Sequence, residues 1–452
     1  MAENFTERYK QSNYAIYLPS LQSTYAQYCW RTNKDVARKA ERIPKKFKTE
    51  WLNFLDENSK LWHCGYCLYS AGQFDNARLS GRDIVAERDR SKTTIVGDSG
   101  GFQLGTGAIS NKKEKAHLER YKNDPQAQFE KWHESGFRER TLKWLERNTD
   151  YAMTLDIVLW ATESLGYEHT KNSQLRKLSV QQMIDLSVDN LRYFADNRGL
   201  ERQTTKFLNV LQDVQALNGS GEAWYNAVKD FEFEGYALGS DTGRISHSIW
   251  WLRRLLNDGK LDKAEWVHLL MKSPPINSVV YTAIQRALRT ALGRDDFTIS
   301  LDSSSPSQMA GKQRAFARND KLTNDMKTWV IGNDAMKQDI RIARGEITAP
   351  IPHNSPLNQY MTLYDLCAHA DDYSDYFVDR WSEMAMVNHN MWAFHTKHFE
   401  ACDLVFDADK QDFSRVPQEL ADAVELIEQY FLGEKSGEAE QRLTTILKVM
   451  NS

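Results

Sequence analysis

Short apolar, β-branched runs recur along the chain, and each one finishes in a polar, small or otherwise unusual residue. NYAIYLPS closes at Pro19 and Ser20, TTIVGD at Asp98, YAMTLD at Asp156 and KFLNVLQD at Gln212 and Asp213. EGYALGSD closes at Gly239, Ser240 and Asp241, WVHLLMKS at Met271 and FTISLD at Asp302, while LWHCGYCLYS supplies an eighth run near the N-terminus. Each run has the length and near-continuous hydrophobicity of a parallel strand covered on both faces.

Helical patterns separate these runs. SVQQMIDLSVDNL opens with Ser179 and Gln182 at capping-box spacing and repeats buried-type positions at Val180, Ile184, Ser187/Val188 and Leu191. TAIQRALRTALG places Ile284, Ala287, Leu288 and Ala291 on one face and stops at Gly293. The alternation of strand and helix predicts an α/β fold, and eight parallel strands predict a (β/α)8 barrel whose functional residues sit at the C-terminal strand ends. Residues 105–150 are too long and too charged for a plain crossover, so helices inserted beside the mouth are expected there. The barrel with its insertions is assigned to residues 1–415. The tail, 416–452, reads as a helical extension of two amphipathic helices around the turn GEKSGE.

Composition narrows the class. With 452 residues, 41% hydrophobic, the chain can bury a large core. Lysine and arginine total 58 against 62 acids, a formal net charge of -4, so a polyanion could be bound only through local basic patches. Five scattered cysteines fit a reduced compartment, and with no apolar leader and no run of about 18 apolar residues the expectation is a cytoplasmic protein without a membrane span.

Among the strand ends, DSGGFQ is the most specific. Paired glycines let backbone amides approach a ligand closely, and Asp98 beside them can exchange a proton with a bound heterocycle; the same residues also suit a tight turn with a capping aspartate. Asp302 at the end of the last strand is either a carboxylate nucleophile partnered by Asp98 across the mouth, or a loop anchor.

The stretch Asp98-Ser99-Gly100-Gly101-Phe102-Gln103 resembles the signature of the tRNA-guanine transglycosylase superfamily, (β/α)8 enzymes that exchange guanine for a 7-deazaguanine base. The resemblance runs in order over roughly residues 90 to 320. It implies that Asp98 is the acid/base group, that Asp302 is the nucleophile, and that Phe102 and Met271 cover the two faces of the base. By the same resemblance Asp156 binds the guanine edge, Gln212 faces its carbonyl oxygen, and Gly239 and Ser240 present backbone to it. Those residue types suit the ligand: guanine's N1–H and 2-amino group are donors that a carboxylate accepts, whereas O6 calls for a donor.

Departures point within the family. Its members hold a structural zinc on three closely spaced cysteines and a histidine, but here only Cys367, His369 and the His389-Asn390 pair remain, so that cluster is not intact and the chemistry requires no cofactor. Cys64 and Cys67 beside His63 lack a second pair, and His395, His398 and Cys402 share helical spacing that either packing or ligation would explain. After the nucleophile the chain carries three serines, then Lys312, Arg314 and Arg318, cations that could clamp phosphates. With the N-terminal YAIYLPSLQSTYAQYCW, these differences resemble the DNA-modifying branch, DpdA, of the phage type. The expected activity is guanine exchange in DNA for a base such as 7-cyano-7-deazaguanine (preQ0). The alternatives are the same exchange in tRNA and a non-catalytic nucleic-acid-binding paralogue.

Overall fold

The computed structural model describes residues 2–31, 43–74, 82–270, 274–317, 322–323, 326–331, 339–366, 368–369, 376–377, 379–433 and 436–450. Eight parallel strands close into a barrel: β1 Ile16–Leu21, β2 Tyr66–Ser70, β3 Thr94–Asp98, β4 Tyr151–Met153, β5 Lys206–Asp213, β6 Gly235–Ser240, β7 Trp266–Leu269 and β8 Thr298–Ser303. They pair in chain order, and the ring shuts where β8 meets β1, with Leu301 opposite Tyr17 and Asp302 opposite Leu18. The fold is therefore the (β/α)8 barrel that the strand pattern predicts, and all eight runs become barrel strands. LWHCGYCLYS divides: Tyr66–Ser70 joins the barrel, while Trp62 and His63 pair with Glu3 and Asn4 in a separate two-residue ladder.

The first helices, α1 Phe5–Ser12 and α2 Ser23–Trp30, flank β1. Between β3 and β4 lie α3 Gly101–Thr106, α4 Lys112–Tyr121, α5 Pro125–Glu130 and α6 Phe137–Asn148. Then follow α7 Val180–Asn197, α8 Ser220–Val228, α9 Ile245–Asn257 and α10 Pro275–Leu292. The capping box of α7 is formed, with the Gln182 N–H donating to Ser179 Oγ at 3.1 Å and the Ser179 N–H donating to Gln182 Oε1 at 3.0 Å. α10 ends at Gly293 in the left-handed region, and Ile284, Ala287 and Leu288 are buried. Ala291, assigned to the same stripe, falls on the last turn and is exposed.

The chain beyond the barrel is helical. α11 Ser305–Gly311 follows the last strand, α12 spans Arg380–Phe406, and α13 Gln418–Leu432 and α14 Ser436–Met450 form the tail. α12 packs on α10 and α11, and α13 packs along α10 and α14. α10 is consequently covered on both sides, which is why polar residues such as Asn277, Thr282 and Gln285 are buried along it. α12 carries apolar side chains all round its axis, the pattern of a helix enclosed by protein. No helix among the described residues is long and apolar enough to cross a membrane.

The expected insertion beside the mouth is present as α4 and α5, and one ion pair fixes it. Arg140 of α6 donates from Nε to Glu114 Oε1 at 2.5 Å and from Nη2 to Oε2 at 3.0 Å, while Nη1 reaches the carbonyls of Ala71 and Phe74 just beyond the end of β2. Both side chains are at most 5% exposed. Burial raises the Glu114 carboxyl and the guanidinium opposes that rise. Removing one partner of such a pair leaves a dry charge, so Arg140→Met is expected to lower stability by about 3–5 kcal/mol, read from the urea unfolding midpoint. Glu114→Gln, which keeps an acceptor, should cost less. An Arg140→Met protein as stable as the parent would show that the pair anchors nothing.

Candidate active site

At the C-terminal ends of the strands opens a cleft of about 720 Å³. Asp98, Gly101, Phe102, Gln103, Asp156, Gln212, Gly239, Ser240 and Asp302 all line it, contributed by β3, β5, β6, β8 and the loop after β4. Ser99 is buried behind the rim with its hydroxyl on Asp156, and Gly100 caps α3. Met271 and Arg318 lie outside the described residues, as does Cys367. Lys312 is exposed at the end of α11, and Arg314 donates to Thr328 Oγ1 at 3.1 Å in a two-stranded hairpin; neither lines the cleft.

The glycines of DSGGFQ each have a steric reason. Gly100 adopts φ 93°, and a Cβ there would meet Gly72 Cα at 2.8 Å. At Gly101 a Cβ would meet Asp156 Oδ1 at 2.8 Å, so only glycine lets the Asp156 carboxylate lie against the start of α3. Asp98 accepts from the Gly100 N–H at 3.1 Å and from the Ser70 hydroxyl. Burial raises its pKa, those two bonds lower it, and the charge of Asp302 raises it again.

Asp156 is the most perturbed acid of the cleft. Its carboxyl is pushed up to about 7, first by burial and then by the charge of Asp98, against bonds from Ser99 and from the Gln212 amide. Gln212 is held on both sides: its Oε1 accepts from the Leu159 N–H at 3.0 Å and the Ser240 hydroxyl at 3.3 Å, and its Nε2 donates to Asp156 and to the Ile157 carbonyl. Its flip is thereby fixed, with the amide nitrogen toward the acid. Ser240 itself takes φ 54°, ψ -136°, a backbone region that costs a non-glycine residue of order 1–3 kcal/mol and is held only where the surroundings impose it.

Several cleft residues carry no motif and were not predicted. Trp160 lines the wall, its ring centroid 5.8 Å from that of Phe102. His268 is fully buried under the nucleophile candidate, with Nε2 3.6 Å from Asp302 Oδ1. The Trp266 indole N–H, a donor only, donates to Ser300 Oγ at 2.6 Å, and Ser300 Oγ lies 2.8 Å from His268 Nδ1. With one lone pair of Ser300 Oγ taken by the indole, the hydroxyl can donate to Nδ1, and a hydrogen on Nε2 then faces the Asp302 carboxylate. The opposite tautomer would leave a lone pair facing a negative oxygen. The signal was available: β7 pairs His268 with Ser300, two residues from Asp302 and on the same face of the strand.

Of the histidines and cysteines weighed as metal ligands, Cys367 and the His369 side chain lie outside the described residues, and the others are engaged in the core. His389 Nε2 donates to the Phe316 carbonyl at 2.9 Å, and burial pushes its pKa down to about 4. His395 Nδ1 meets Tyr9 Oη at 3.2 Å, His398 Nδ1 donates to the Phe394 carbonyl at 2.7 Å, and Cys402 bonds Ser278 and Thr282. Cys64 and Cys67 are buried, and burial raises both thiols. Among the described residues no three such side chains are arranged to hold a metal. His389 Nδ1 is buried without a hydrogen-bond partner, but Cys367 and the side chain of His369 lie outside the described residues, and nothing below is routed through a metal.

In comparisons with known proteins, no family model matches the chain and no curated protein matches its sequence.

Because the folded pKa of Asp156 lies above its ordinary 3.8, the folded state holds the extra proton between about pH 4 and pH 7, and stability falls as pH rises through that window. Asp156→Asn keeps an acceptor for Gln212 and removes the dependence. Its gain in urea midpoint over the parent should grow from pH 4 to pH 7 and stay level above, on the order of a few kcal/mol at pH 8. A gain independent of pH would mean that Asp156 ionises like an exposed carboxyl.

Proposed function

We propose that the protein is a pentosyltransferase that exchanges guanine in DNA for a 7-deazaguanine base by double displacement. One observation carries this reading above the others: Asp98 and Asp302, 204 residues apart in the sequence, line a single cleft whose walls also supply Asp156 and Gln212. The likeness of DSGGFQ and the later strand ends to the transglycosylase signature supports the substrate class, and the altered segment after Asp302 supports DNA over tRNA.

In the first displacement an oxygen of Asp302 bonds to C1′ of the target nucleotide as the C1′–N9 bond breaks. The bonding pair leaves with guanine, which takes a proton from Asp98. Burial, by raising the Asp98 carboxyl, favours the protonated form that this step uses. In the second displacement the incoming base gives its N9 proton to Asp98, its nitrogen bonds to C1′, and the ester to Asp302 breaks. Two inversions retain the β-configuration, and Asp98 returns to its starting state.

Recognition falls to the remaining walls. Ionised Asp156 accepts from N1–H and the 2-amino group, and Phe102, 60% exposed in the open cleft, covers one ring face. His268 is a positioning residue: its Nε2–H faces the carboxylate and eases departure of Asp302 as an anion in the second step.

Incubation with labelled guanine or 7-cyano-7-deazaguanine and either DNA or tRNA should place label in DNA. Label in neither polymer would sink the proposal, and label in tRNA alone would sink its DNA assignment. Asp302→Asn should abolish exchange with the fold intact, and Asp98→Asn should slow it by about 10²–10⁴. Ser300→Ala, which frees the imidazole tautomer, should lower kcat roughly tenfold while KM for the base stays unchanged. A change in KM alone would place His268 in packing rather than in the displacement.

A further inference from the structure

Four rings run outward from the cleft along one rim. Phe102 and Trp160 lie at its edge, Trp160 is 5.3 Å from His169, and His169 stacks on Tyr167 at 5.6 Å with planes 15° apart. Phe102 and Tyr167 are among the few large apolar side chains that the described surface exposes. Three of the rings come from one segment, 159–171, wound into successive 3-10 turns. Trp160 is seated there because Gly105 has no side chain; a Cβ would meet the indole at 2.5 Å.

Beside this row lies a second cleft, of about 580 Å³, between α4, the end of α3 and residues 171–177. Five cations line it, Lys115, Lys122, Lys171, Arg176 and Lys177; Lys122, Lys171 and Arg176 pair with Glu119, Glu168 and Glu163, and Lys115 and Lys177 carry the excess. The chain as a whole is weakly acidic, so this is a local concentration of the opposite sign. Gln174 on the same wall is 4% exposed and its amide oxygen has no hydrogen-bond partner.

We infer that this rim is a track for the single-stranded polynucleotide flanking the nucleotide in the cleft. Neighbouring bases stack on Trp160, His169 and Tyr167, and the phosphates follow the lysines of the second cleft. Ring faces accept any base, and cations neutralise any phosphate, so the track grips without selecting sequence. A chain with rings on one side and cations on the other matches a strand whose bases are unstacked; a duplex keeps its bases inside. The inference deepens the base-exchange reading and rests on it for what enters the main cleft.

The test is fluorescence anisotropy of a labelled guanine-containing oligonucleotide with the full-length protein, using single-stranded DNA, RNA of the same sequence and a blunt DNA duplex. Single strands should bind roughly tenfold or more tightly than the duplex, and the DNA and RNA arms identify which polymer the track takes. Tyr167→Ala should weaken single-strand binding about 5- to 50-fold. Lys115→Gln with Lys177→Gln should reduce the slope of log K against log salt by about 1.4, the loss of two phosphate contacts on a single strand. Unchanged affinity and slope in both variants, or a duplex bound as tightly as a single strand, would overturn the track. Binding is read without turnover, so the two proposals fail separately. Tyr167-dependent binding by a protein that exchanges no base removes the chemistry alone, and normal exchange with variant-insensitive binding removes the track alone.

Discussion

Closure of the sheet between β8 and β1 is the constraint on which the site depends. Because every strand runs the same way and the ring shuts in register, eight strand ends that are far apart in the sequence arrive at one rim. Asp98 and Asp302 need no contact with each other to be partners. The hydrogen bonds of the barrel place them, and the low polarity of the cleft lets each feel the other's charge. Burial there makes carboxylates hard to ionise, which raises Asp98 and pushes Asp156 up to about 7.

Acids at the opposite ends of the same strands show what position decides. Asp150, just before β4, accepts from the Ile95 N–H and pairs with Arg88 and Arg202. Glu234, before β6, accepts from the Phe207 N–H, and Glu265, before β7, accepts from the Tyr151 hydroxyl. Those carboxylates tie neighbouring strands together at the N-terminal face, each bonded to the strand beside it. The acids of the cleft share some bonds with the protein yet keep oxygens facing open volume. Carboxylates thus serve as mortar at one end of the barrel and line an open cleft at the other.

The strands and the acids that end them were legible because parallel strands need unbroken apolar runs, and a charge after such a run stands out. So were the capping box of α7 and the stop at Gly293, since both rest on local hydrogen bonding. His268 was overlooked because it sits inside an apolar run, where its polarity reads as an accident until strand register sets it beside Ser300. Trp160 was one of thirteen tryptophans, and nothing local marks the one that reaches a rim. The spacing of His395, His398 and Cys402 left packing and ligation open, and packing holds: shared helical faces bring ligands together only if the face is left uncovered, and α12 is enclosed. Lys312 and Arg314 were placed near the nucleophile by sequence distance, but the turn after α11 carries them away from the cleft.

The His389-Asn390 pair, whatever its origin, has a mechanical part here. His389 bonds the Phe316 carbonyl; Asn390 accepts from the Phe316 N–H and donates to the carbonyls of Pro306 and Arg314. Two adjacent side chains on a distant helix thereby clasp the stretch of backbone that leaves the nucleophile strand. Asp302 is thereby tethered from both directions, by the barrel before it and by α12 after it. The helix α12 is thus part of the frame that holds the cleft, and a fragment ending at the last barrel strand would carry Asp302 on a free end.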